Sequence, residues 1–431
     1  MSAASPPPAD PRDGRHEETT DAHVTRVTRE ESAVAADCRF GVNYIPSKDW
    51  LYSWVDWDAD SVRRDLEAIA SLGLDHVRVQ CLWPYFQPNR SFVSPVMLAR
   101  LAELTDIAAR CGLDVVVCVL NGWMSGTYFR PLWQGESVSV FTDADALEAE
   151  RSLIAAVAGA VADRPNVLGI DVANEPNAMA SFVGNDVTRA QGDAWVRTML
   201  GHCDLVMPGG LHGVGVDHVP WLHDDGPFSR DVLATDGAVS TVHSWVYFTG
   251  ALERYGVDGV GTHHLARYLV ELARAYGTSR ERPVWLQEIG VSSQWVPEAD
   301  LPAFAASILT NALAARPWGI TWWCSHDIDR ALAGFDELEY DLGLLTVDNE
   351  VKPMGAAIAA VVAAYRRGEA GDDRPDGERP RLVVPAGQVP DLDFADRYFA
   401  LVAAGEDPMV VVEGAAPVTA AAAGVSELVT D

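Results

Sequence analysis

Short apolar runs alternate with longer segments of helical periodicity from about residue 39 to residue 367. Apolar runs of this length, bounded by glycine, proline or polar residues, are typical of buried strands, and apolar positions at helical spacing are typical of amphipathic helices. Strand followed by helix, repeated eight times, is the pattern of a closed parallel barrel, so the sequence predicts an α/β fold, a (β/α)8 TIM barrel. The predicted strands are 40–45, 75–82, 114–120, 167–173, 213–217, 240–245, 283–287 and 319–324. The predicted helices include 60–72, 95–111, 143–162, 194–206, 264–276, 301–315 and 354–367.

The two ends of the chain differ in composition from this alternating region. Residues 1–37 are rich in proline, threonine and charge, which predicts a disordered N-terminal arm. Residues 368–431 begin with a linker of glycine, aspartate and proline, followed by a predicted strand at 382–384 and a predicted helix at 394–404. We therefore expect a barrel domain at 38–367 and a short C-terminal extension that packs partly on it.

Two predicted strands end abruptly in a glutamate. Glu175 closes the run that begins at residue 167, and Glu288 closes the run that begins at residue 283. In a barrel of this kind the active site forms at the carboxyl ends of the strands, so both carboxylates can face one cavity. A pair of carboxylates is what glycoside hydrolysis requires, one to protonate the leaving oxygen and one to meet the anomeric carbon. Either glutamate alone could instead begin a helix at the surface.

The spacing of such a pair decides the chemistry. Two carboxyl groups about 5 Å apart act as nucleophile and acid/base, with retention of configuration at the anomeric carbon. At that distance the pKa values of the two groups are driven apart, which leaves one protonated and one ionised near neutrality.

Composition narrows the possible partners. A net charge of −30 and a pI near 4.6 argue against nucleic acid and anionic membranes, and permit a neutral β-linked oligosaccharide. No C-x-x-C pair and no H-E-x-x-H spacing occurs, so we expect neither a metal nor a cofactor. The chain lacks an apolar run of transmembrane length and a basic-then-apolar leader, from which we expect a cytoplasmic protein.

The motif Asn174-Glu175-Pro176, with the later Glu288-x-Gly290, resembles glycoside hydrolase family 5 of the retaining (β/α)8 clan. The resemblance implies that Glu175 is the acid/base and Glu288 the nucleophile. It also implies that Asn174 holds the sugar 2-hydroxyl in the transition state and that Arg78 hydrogen-bonds the nucleophile. An arginine in the barrel mouth keeps a neighbouring carboxylate ionised.

Other positions match the family less closely. His243 matches the histidine of the family's His-x-Tyr motif, but the third residue here is Trp245, so either its indole N–H or the Tyr247 hydroxyl would replace the usual contact to the nucleophile. Trp323 matches the family's sugar-stacking tryptophan, since aromatic faces pack on the apolar faces of a pyranose. Asp327, in the triad-like run Ser-His-Asp, is predicted to line the leaving-group side, because adjacent residues of one loop do not form a catalytic triad.

Strand three ends in Asn121-x-Trp123, which looks like the mannan-active branches of the family and predicts that both residues bind substrate. Segments 40–47, 50–57 and 82–88 resemble the bacterial β-mannosidases of subfamily 18. The resemblance implies a retaining exo-β-mannosidase that acts on mannosyl-β-1,4-N-acetylglucosamine or related short β-mannosides. Two alternatives stay open. One is an endo-β-1,4-mannanase, β-glucanase or β-glucosidase of the same clan, favoured by an open cleft. The other is a catalytically silent sugar-binding barrel.

Overall fold

The computed structural model describes residues 38–370 and 379–414. The predicted N-terminal arm, most of the linker and the end of the extension lie outside the described residues. The strands are β1 (Arg39–Tyr44), β2 (His76–Leu82), β3 (Asp114–Asn121), β4 (Trp123–Met124), β5 (Thr127–Tyr128), β6 (Val167–Asn174), β7 (Gly213–Gly215), β8 (Ser240–Ser244), β9 (Val284–Ile289), β10 (Gly319–Trp322), β11 (Arg381–Val384) and β12 (Met409–Val412). The helices are α1 (Ala59–Ser71), α2 (Trp83–Phe86), α3 (Pro95–Arg110), α4 (Ala144–Val161), α5 (Pro176–Met179), α6 (Arg189–Val206), α7 (Val219–Leu222), α8 (Arg230–Thr235), α9 (Ala251–Tyr255), α10 (Val260–Tyr276), α11 (Leu301–Leu313), α12 (Pro353–Arg366) and α13 (Leu392–Ala403).

Eight of these strands form one parallel sheet in the order β7, β6, β3, β2, β1, β10, β9, β8. The two ends of this order meet, because the Thr241 hydroxyl of β8 donates a hydrogen bond to the Val214 carbonyl of β7. The sheet therefore curls into a barrel, and the predicted (β/α)8 fold is confirmed. All seven residues of β2 are buried, as expected for barrel strands that are covered by helices outside and by packed side chains inside.

The lower interior of the barrel shows how closely the strands pack. The ring of His76 on β2 lies against Gly41 on β1, where a Cβ atom would stand only 2.3 Å from the imidazole. His76 bonds the Thr321 hydroxyl at 2.8 Å, and burial lowers the pKa of His76 to about 3. The imidazole is therefore a neutral part of the core, and Gly41 is the residue that leaves room for it.

Helix starts follow the local sequence. Asp58, Ser94 and Asp143 cap α1, α3 and α4 by accepting hydrogen bonds from backbone N–H groups of the first turn. α6 begins five residues earlier than predicted, because Thr188 and Gln191 form a reciprocal capping box ahead of the apolar face.

The structure adds elements that the pattern did not predict. Two short helices, α7 and α8, fill the segment before β8, and β7, predicted at 213–217, has only three residues. β12 pairs in parallel with β11 in the C-terminal extension.

The C-terminal extension packs on α10. Asp407 pairs with Arg267 at 2.5 Å, and the buried Glu271 carboxylate accepts from Arg379 of the extension at 3.2 Å. The expected packing of the extension on the barrel is therefore present. Along the described chain, no helix combines the length and the apolar character that crossing a membrane requires.

Candidate active site

The turn after β6 aims Glu175 into the barrel mouth. Glu175 has a left-handed backbone (φ 44°, ψ 54°) and directly precedes Pro176, the first residue of α5. Its N–H donates to the Gly215 carbonyl of β7 at 2.6 Å, which ties the turn to the neighbouring strand. A non-glycine residue in this conformation costs about 1–3 kcal/mol, and such strain is concentrated at functional sites.

An irregularity in β9 places two consecutive side chains toward the site. Val242 of β8 pairs with Leu286, but His243 pairs with Glu288, so Gln287 is an extra residue in the ladder. Because side chains alternate along a regular strand, Gln287 and Glu288 would otherwise face opposite sides. Both are buried, and both reach polar groups of the site.

The two glutamates meet at His243. One carboxylate oxygen of Glu175, one of Glu288 and a ring nitrogen of His243 all lie within 4.8 Å of one another. His243 Nδ1 is 2.7 Å from Glu175 Oε1 and 3.4 Å from Glu288 Oε2. This close pairing agrees with the spacing of about 5 Å that a double displacement requires.

The same three side chains are also of the types that bind metal ions. Two ligands of a tetrahedral zinc ion, each about 2.0–2.1 Å from the metal, stand about 3.3 Å apart. The 2.7 Å between His243 Nδ1 and Glu175 Oε1 is shorter than this and is an ordinary hydrogen-bond distance. The geometry therefore fits a shared proton better than a shared ion.

Arg78, fully buried on β2, organises one side of the site. Its guanidinium donates to Glu288 Oε1 at 3.0 Å and to Asp171 Oδ2 at 2.6 and 2.9 Å. It also donates to Asn43 Oδ1 at 2.9 Å and to Asn174 Oδ1 at 2.8 Å. A planar guanidinium with this many partners is fixed in orientation, so it fixes the position of the Glu288 carboxylate in turn.

Trp245 contacts the other oxygen of Glu288. Its indole N–H lies 3.3 Å from Glu288 Oε2, while its ring packs against Gly290. The Tyr247 side chain is 53% exposed and stacks on Trp295 instead. Of the two replacements expected for the family's tyrosine, the structure brings Trp245 to the glutamate and leaves Tyr247 outside.

The electrostatic environment separates the two carboxyl groups. Burial, with a contribution from the charge of Asp217, raises the pKa of Glu175 to about 8. Burial also raises the pKa of Glu288, but only to about 7, because His243 and Arg78 partly oppose the effect of burial. Glu175 therefore holds its proton at a pH where Glu288 has begun to lose its own. Burial lowers the pKa of His243, so its imidazole is neutral there.

Residues from β3, β4 and β6 surround Glu175. Asn174 accepts from Arg78 and donates to the Trp123 carbonyl at 2.8 Å, which leaves one amide hydrogen for a ligand. The Trp123 side chain lies close enough to Glu175 to lower its pKa. Asn121 is fully buried at the end of β3, and neither atom of its amide has a hydrogen-bond partner among the described residues. A buried amide without partners is costly, so a polar ligand or a water is expected beside it.

The residues after β10 take different positions. Trp323 is 5% exposed, and its backbone N–H donates to the Ile289 carbonyl at 2.9 Å. The peptide bond between Trp323 and Cys324 is cis. Asp327 accepts from Lys352 Nζ at 2.6 Å and from the Gly343 N–H at 2.9 Å. Among the described residues, no hydrogen bond joins Asp327 to either glutamate, so its observed contacts hold the loop, and its predicted place beside the leaving group stays a prediction.

Sequence reasoning missed the polar residues that support the glutamates. Asn43 on β1 and Asp171 inside β6 both bind Arg78, and Gln287 bonds His243 Nε2 at 2.9 Å. The available signal was a charged or amide side chain within an apolar run, because such a group requires a partner when it is buried.

Aromatic side chains close one side of the mouth. Trp50, in the loop after β1, is 1% exposed. Its ring lies 5.6 Å from Phe129, in the loop after β5, and 5.0 Å from Phe335, in the loop after β10. Loops that begin at three different strands therefore meet over this part of the barrel. On the side of β8 and β9, by contrast, Tyr247 and Phe248 are about half exposed.

A parallel eight-stranded barrel that carries paired glutamates at the ends of two strands defines the protein as a glycoside hydrolase. The model of the cellulase family, glycosyl hydrolase family 5, matches residues 40–327. The chain belongs to glycoside hydrolase family 5, which confirms the resemblance found in the sequence.

Solved structures agree with this assignment. A GH5_18 protein from Streptomyces cattleya in complex with GlcNAc is 42% identical, with 88% of this chain and 94% of that chain covered and a TM-score of 0.83. A variant of a GH5_18 protein from the same organism, in complex with Manβ1-4GlcNAc, is 41% identical, with 90% and 98% covered and a TM-score of 0.84. An exo-β-1,4-mannosidase from an Opitutaceae bacterium is 26% identical, with 88% and 70% covered and a TM-score of 0.75. No curated protein matches the chain.

Proposed function

We propose that the protein is a retaining exo-β-mannosidase that hydrolyses mannosyl-β-1,4-N-acetylglucosamine or related short β-mannosides. The observation that carries this proposal is the close pairing of Glu175 and Glu288 around His243, with oxygens of both carboxylates within 4.8 Å. That spacing fits direct attack by one carboxylate and leaves little room for the water of an inverting mechanism.

In the first step Glu288 attacks the anomeric carbon while Glu175 protonates the departing oxygen. The environments of the two groups suit these roles, because the Arg78 guanidinium and the Trp245 N–H favour an ionised Glu288. The neutral His243, hydrogen-bonded to Glu175, is compatible with a protonated Glu175 in the resting enzyme. In the second step Glu175 takes a proton from water, which attacks the same carbon and releases the sugar.

The closed side of the mouth supports an exo-acting enzyme. The contacts of Trp50 with Phe129 and Phe335 join loops from three strands, whereas an endo-acting enzyme needs a cleft open at both ends. The leaving group would then point toward β8, the strand that carries His243.

Recognition of the mannosyl unit is assigned to residues around Glu175. The unpaired amide of Asn121 and the free amide hydrogen of Asn174 offer hydrogen bonds to sugar hydroxyls. Trp123, which is half-buried, and Trp323, which is 5% exposed, are the proposed stacking residues. Two similar GH5_18 structures support mannose as the released sugar and N-acetylglucosamine as the leaving group, since one contains GlcNAc and another Manβ1-4GlcNAc.

A substrate panel tests the proposal. We expect rapid release of mannose from Manβ1-4GlcNAc and little action on mannan. Fragmentation of mannan would favour an endo-mannanase, and preference for β-glucosides would favour a glucanase or glucosidase. If wild-type protein binds these sugars but turns none over, the silent sugar-binding alternative gains.

Two variants make the panel specific to the site. Glu288→Gln should bind Manβ1-4GlcNAc and release no mannose. Glu298→Gln, an exposed glutamate on the loop after β9, is the matched control and should keep wild-type activity.

A further inference from the structure

Three aromatic side chains form a group beside the barrel mouth, here called the aromatic ledge: the exposed Tyr247 and Phe248 and the half-buried Trp295. Tyr247 is 53% and Phe248 51% exposed. The rings of Tyr247 and Trp295 stack at 4.9 Å with an interplanar angle of 3°. Phe248 meets both of them edge-on, at 5.5 and 5.4 Å. The ledge is therefore an ordered surface built from mutually packed rings, since edge-on and stacked contacts favour defined geometry.

The backbone beneath the ledge is also fixed. The Thr249 N–H donates to the Trp245 carbonyl at 3.1 Å, and the Thr249 hydroxyl donates to the same carbonyl at 2.9 Å. The Gly250 N–H donates to the Tyr247 carbonyl at 3.0 Å. The Tyr247 hydroxyl, in contrast, has no hydrogen-bond partner in the part of the chain that the structure describes. Its oxygen is available to a ligand.

The ledge continues directly from the reaction centre. Trp245, whose indole N–H bonds Glu288, meets Phe248 at 6.1 Å and Trp295 at 6.0 Å. The ledge thus begins one ring beyond the nucleophile. It belongs to the loops after β8 and β9, whereas the loops closed by Trp50 follow β1, β5 and β10. A substrate whose mannosyl end fills the closed side must extend its leaving group toward the open side, where the ledge stands.

Side-chain chemistry limits what the ledge can hold. Its three side chains carry no charge, and they offer ring faces and edges with one free hydroxyl. A contiguous patch of exposed apolar side chains marks a binding surface, whereas single exposed apolar residues are normal. Uncharged aromatic surface with a hydrogen-bonding rim suits the apolar C–H face of a pyranose, as at other sugar-binding aromatics.

We propose that the aromatic ledge binds a second sugar of the leaving group, a neutral β-linked pyranose attached to the sugar whose departing oxygen Glu175 protonates. This inference rests on the proposed function, because it takes the direction of the leaving group from it. The enzyme would then accept short glycans with two sugars on the leaving side and hold the outer one on Tyr247 and Phe248. A single leaving sugar would not reach the ledge.

The experiment measures binding of leaving-side sugars to the full-length protein by titration calorimetry. The probes are N-acetylglucosamine and its β-1,4-linked disaccharide, compared for wild type, the double variant Tyr247→Ala/Phe248→Ala and the control Leu205→Ala. Leu205 is 75% exposed on the last turn of α6, away from the strand ends that form the mouth. We expect the disaccharide to bind wild type about tenfold more tightly than the monosaccharide, the value that aromatic contacts of this kind give.

The double variant should lose this tenfold preference and keep the affinity for the monosaccharide, and Leu205→Ala should keep both. Equal affinities of wild type for the two sugars would overturn the proposal. An equal change of both affinities in the double variant would also overturn it, because that result indicates a disturbed Trp245. The proposal is likewise overturned if wild type is a dimer and the double variant a monomer, because the ledge is then an interface between copies. Mannose release from Manβ1-4GlcNAc, measured on the same samples, reports on the proposed function separately, because it does not require the ledge.

Discussion

Trp245→Phe removes one hydrogen bond from the nucleophile and keeps most of the packing. Phenylalanine retains an aromatic ring against Gly290 and the aromatic ledge, but it lacks the N–H that lies 3.3 Å from Glu288 Oε2. A hydrogen bond to a charged group contributes about 1.5–3 kcal/mol. Because 3.3 Å is longer than the usual length of about 2.7–2.9 Å for such bonds, we take the lower end of that range, about 1.5 kcal/mol.

This magnitude converts into a shift of the pH profile. The N–H stabilises the ionised carboxylate and so lowers the pKa of Glu288, and its loss raises that pKa. About 1.5 kcal/mol corresponds to about one pKa unit, which moves the pKa of Glu288 from about 7 to about 8. At pH 7 the ionised fraction of Glu288 falls from about one half to about one tenth, a loss of about fivefold in kcat/KM. The loss grows at lower pH and shrinks at higher pH.

The assay is the pH dependence of kcat/KM for an aryl β-mannoside, which reports the pKa values of the free enzyme. The acid limb should move to higher pH, while the alkaline limb, which we assign to Glu175, stays in place. Trp245→Tyr, which restores a hydroxyl donor, should recover part of the shift. A fall in kcat/KM that is equal at every pH, with both limbs unmoved, would refute the reasoning and show that Trp245 acts through packing alone.

Three further predictions follow from the same contacts. For wild type, kcat/KM should be greatest between about pH 7 and about pH 8, since activity is lost below the pKa of Glu288 and above that of Glu175; a broad plateau reaching down to pH 5 would contradict this. Arg78→Met should lower the free energy of unfolding by about 3–5 kcal/mol in urea titrations, because Asp171 and Glu288 lose their buried partner, and an unchanged midpoint would contradict it. Asp327→Asn should lower stability by about 1 kcal/mol through its bond to Lys352, and unchanged stability would contradict this; KM of the same variant tests the predicted place of Asp327 beside the leaving group.

The repeating pattern of the chain was sufficient to predict the barrel. All eight barrel strands were expected near their observed positions, because a strand covered by helices is apolar along its whole length. The segment before β8 was less regular, since β7 has only three residues and the helices α7 and α8 are too short to show periodicity. β12 was missed because its partner strand, β11, is distant in sequence, and pairing between distant segments leaves no local pattern.

The site was predictable where a strand ends and less so where a side chain lies inside the barrel. Glu175, Glu288 and His243 stand at strand ends, and the structure brings them together. Gln287 was missed because strict alternation would turn it away from the site, and only the irregular pairing of β9 reverses this. Asp171 was missed because its neighbours made the whole run look apolar, although a buried aspartate requires a partner such as Arg78.

The most direct test of the account is the configuration of the first mannose released from Manβ1-4GlcNAc, followed by proton NMR before the anomers equilibrate. A double displacement by Glu288 and Glu175 inverts the anomeric carbon twice, so β-mannose should appear first and α-mannose only later by mutarotation. Initial release of α-mannose would show a single displacement by water and contradict the assignment of Glu288 as nucleophile. Absence of mannose would contradict the proposed substrate.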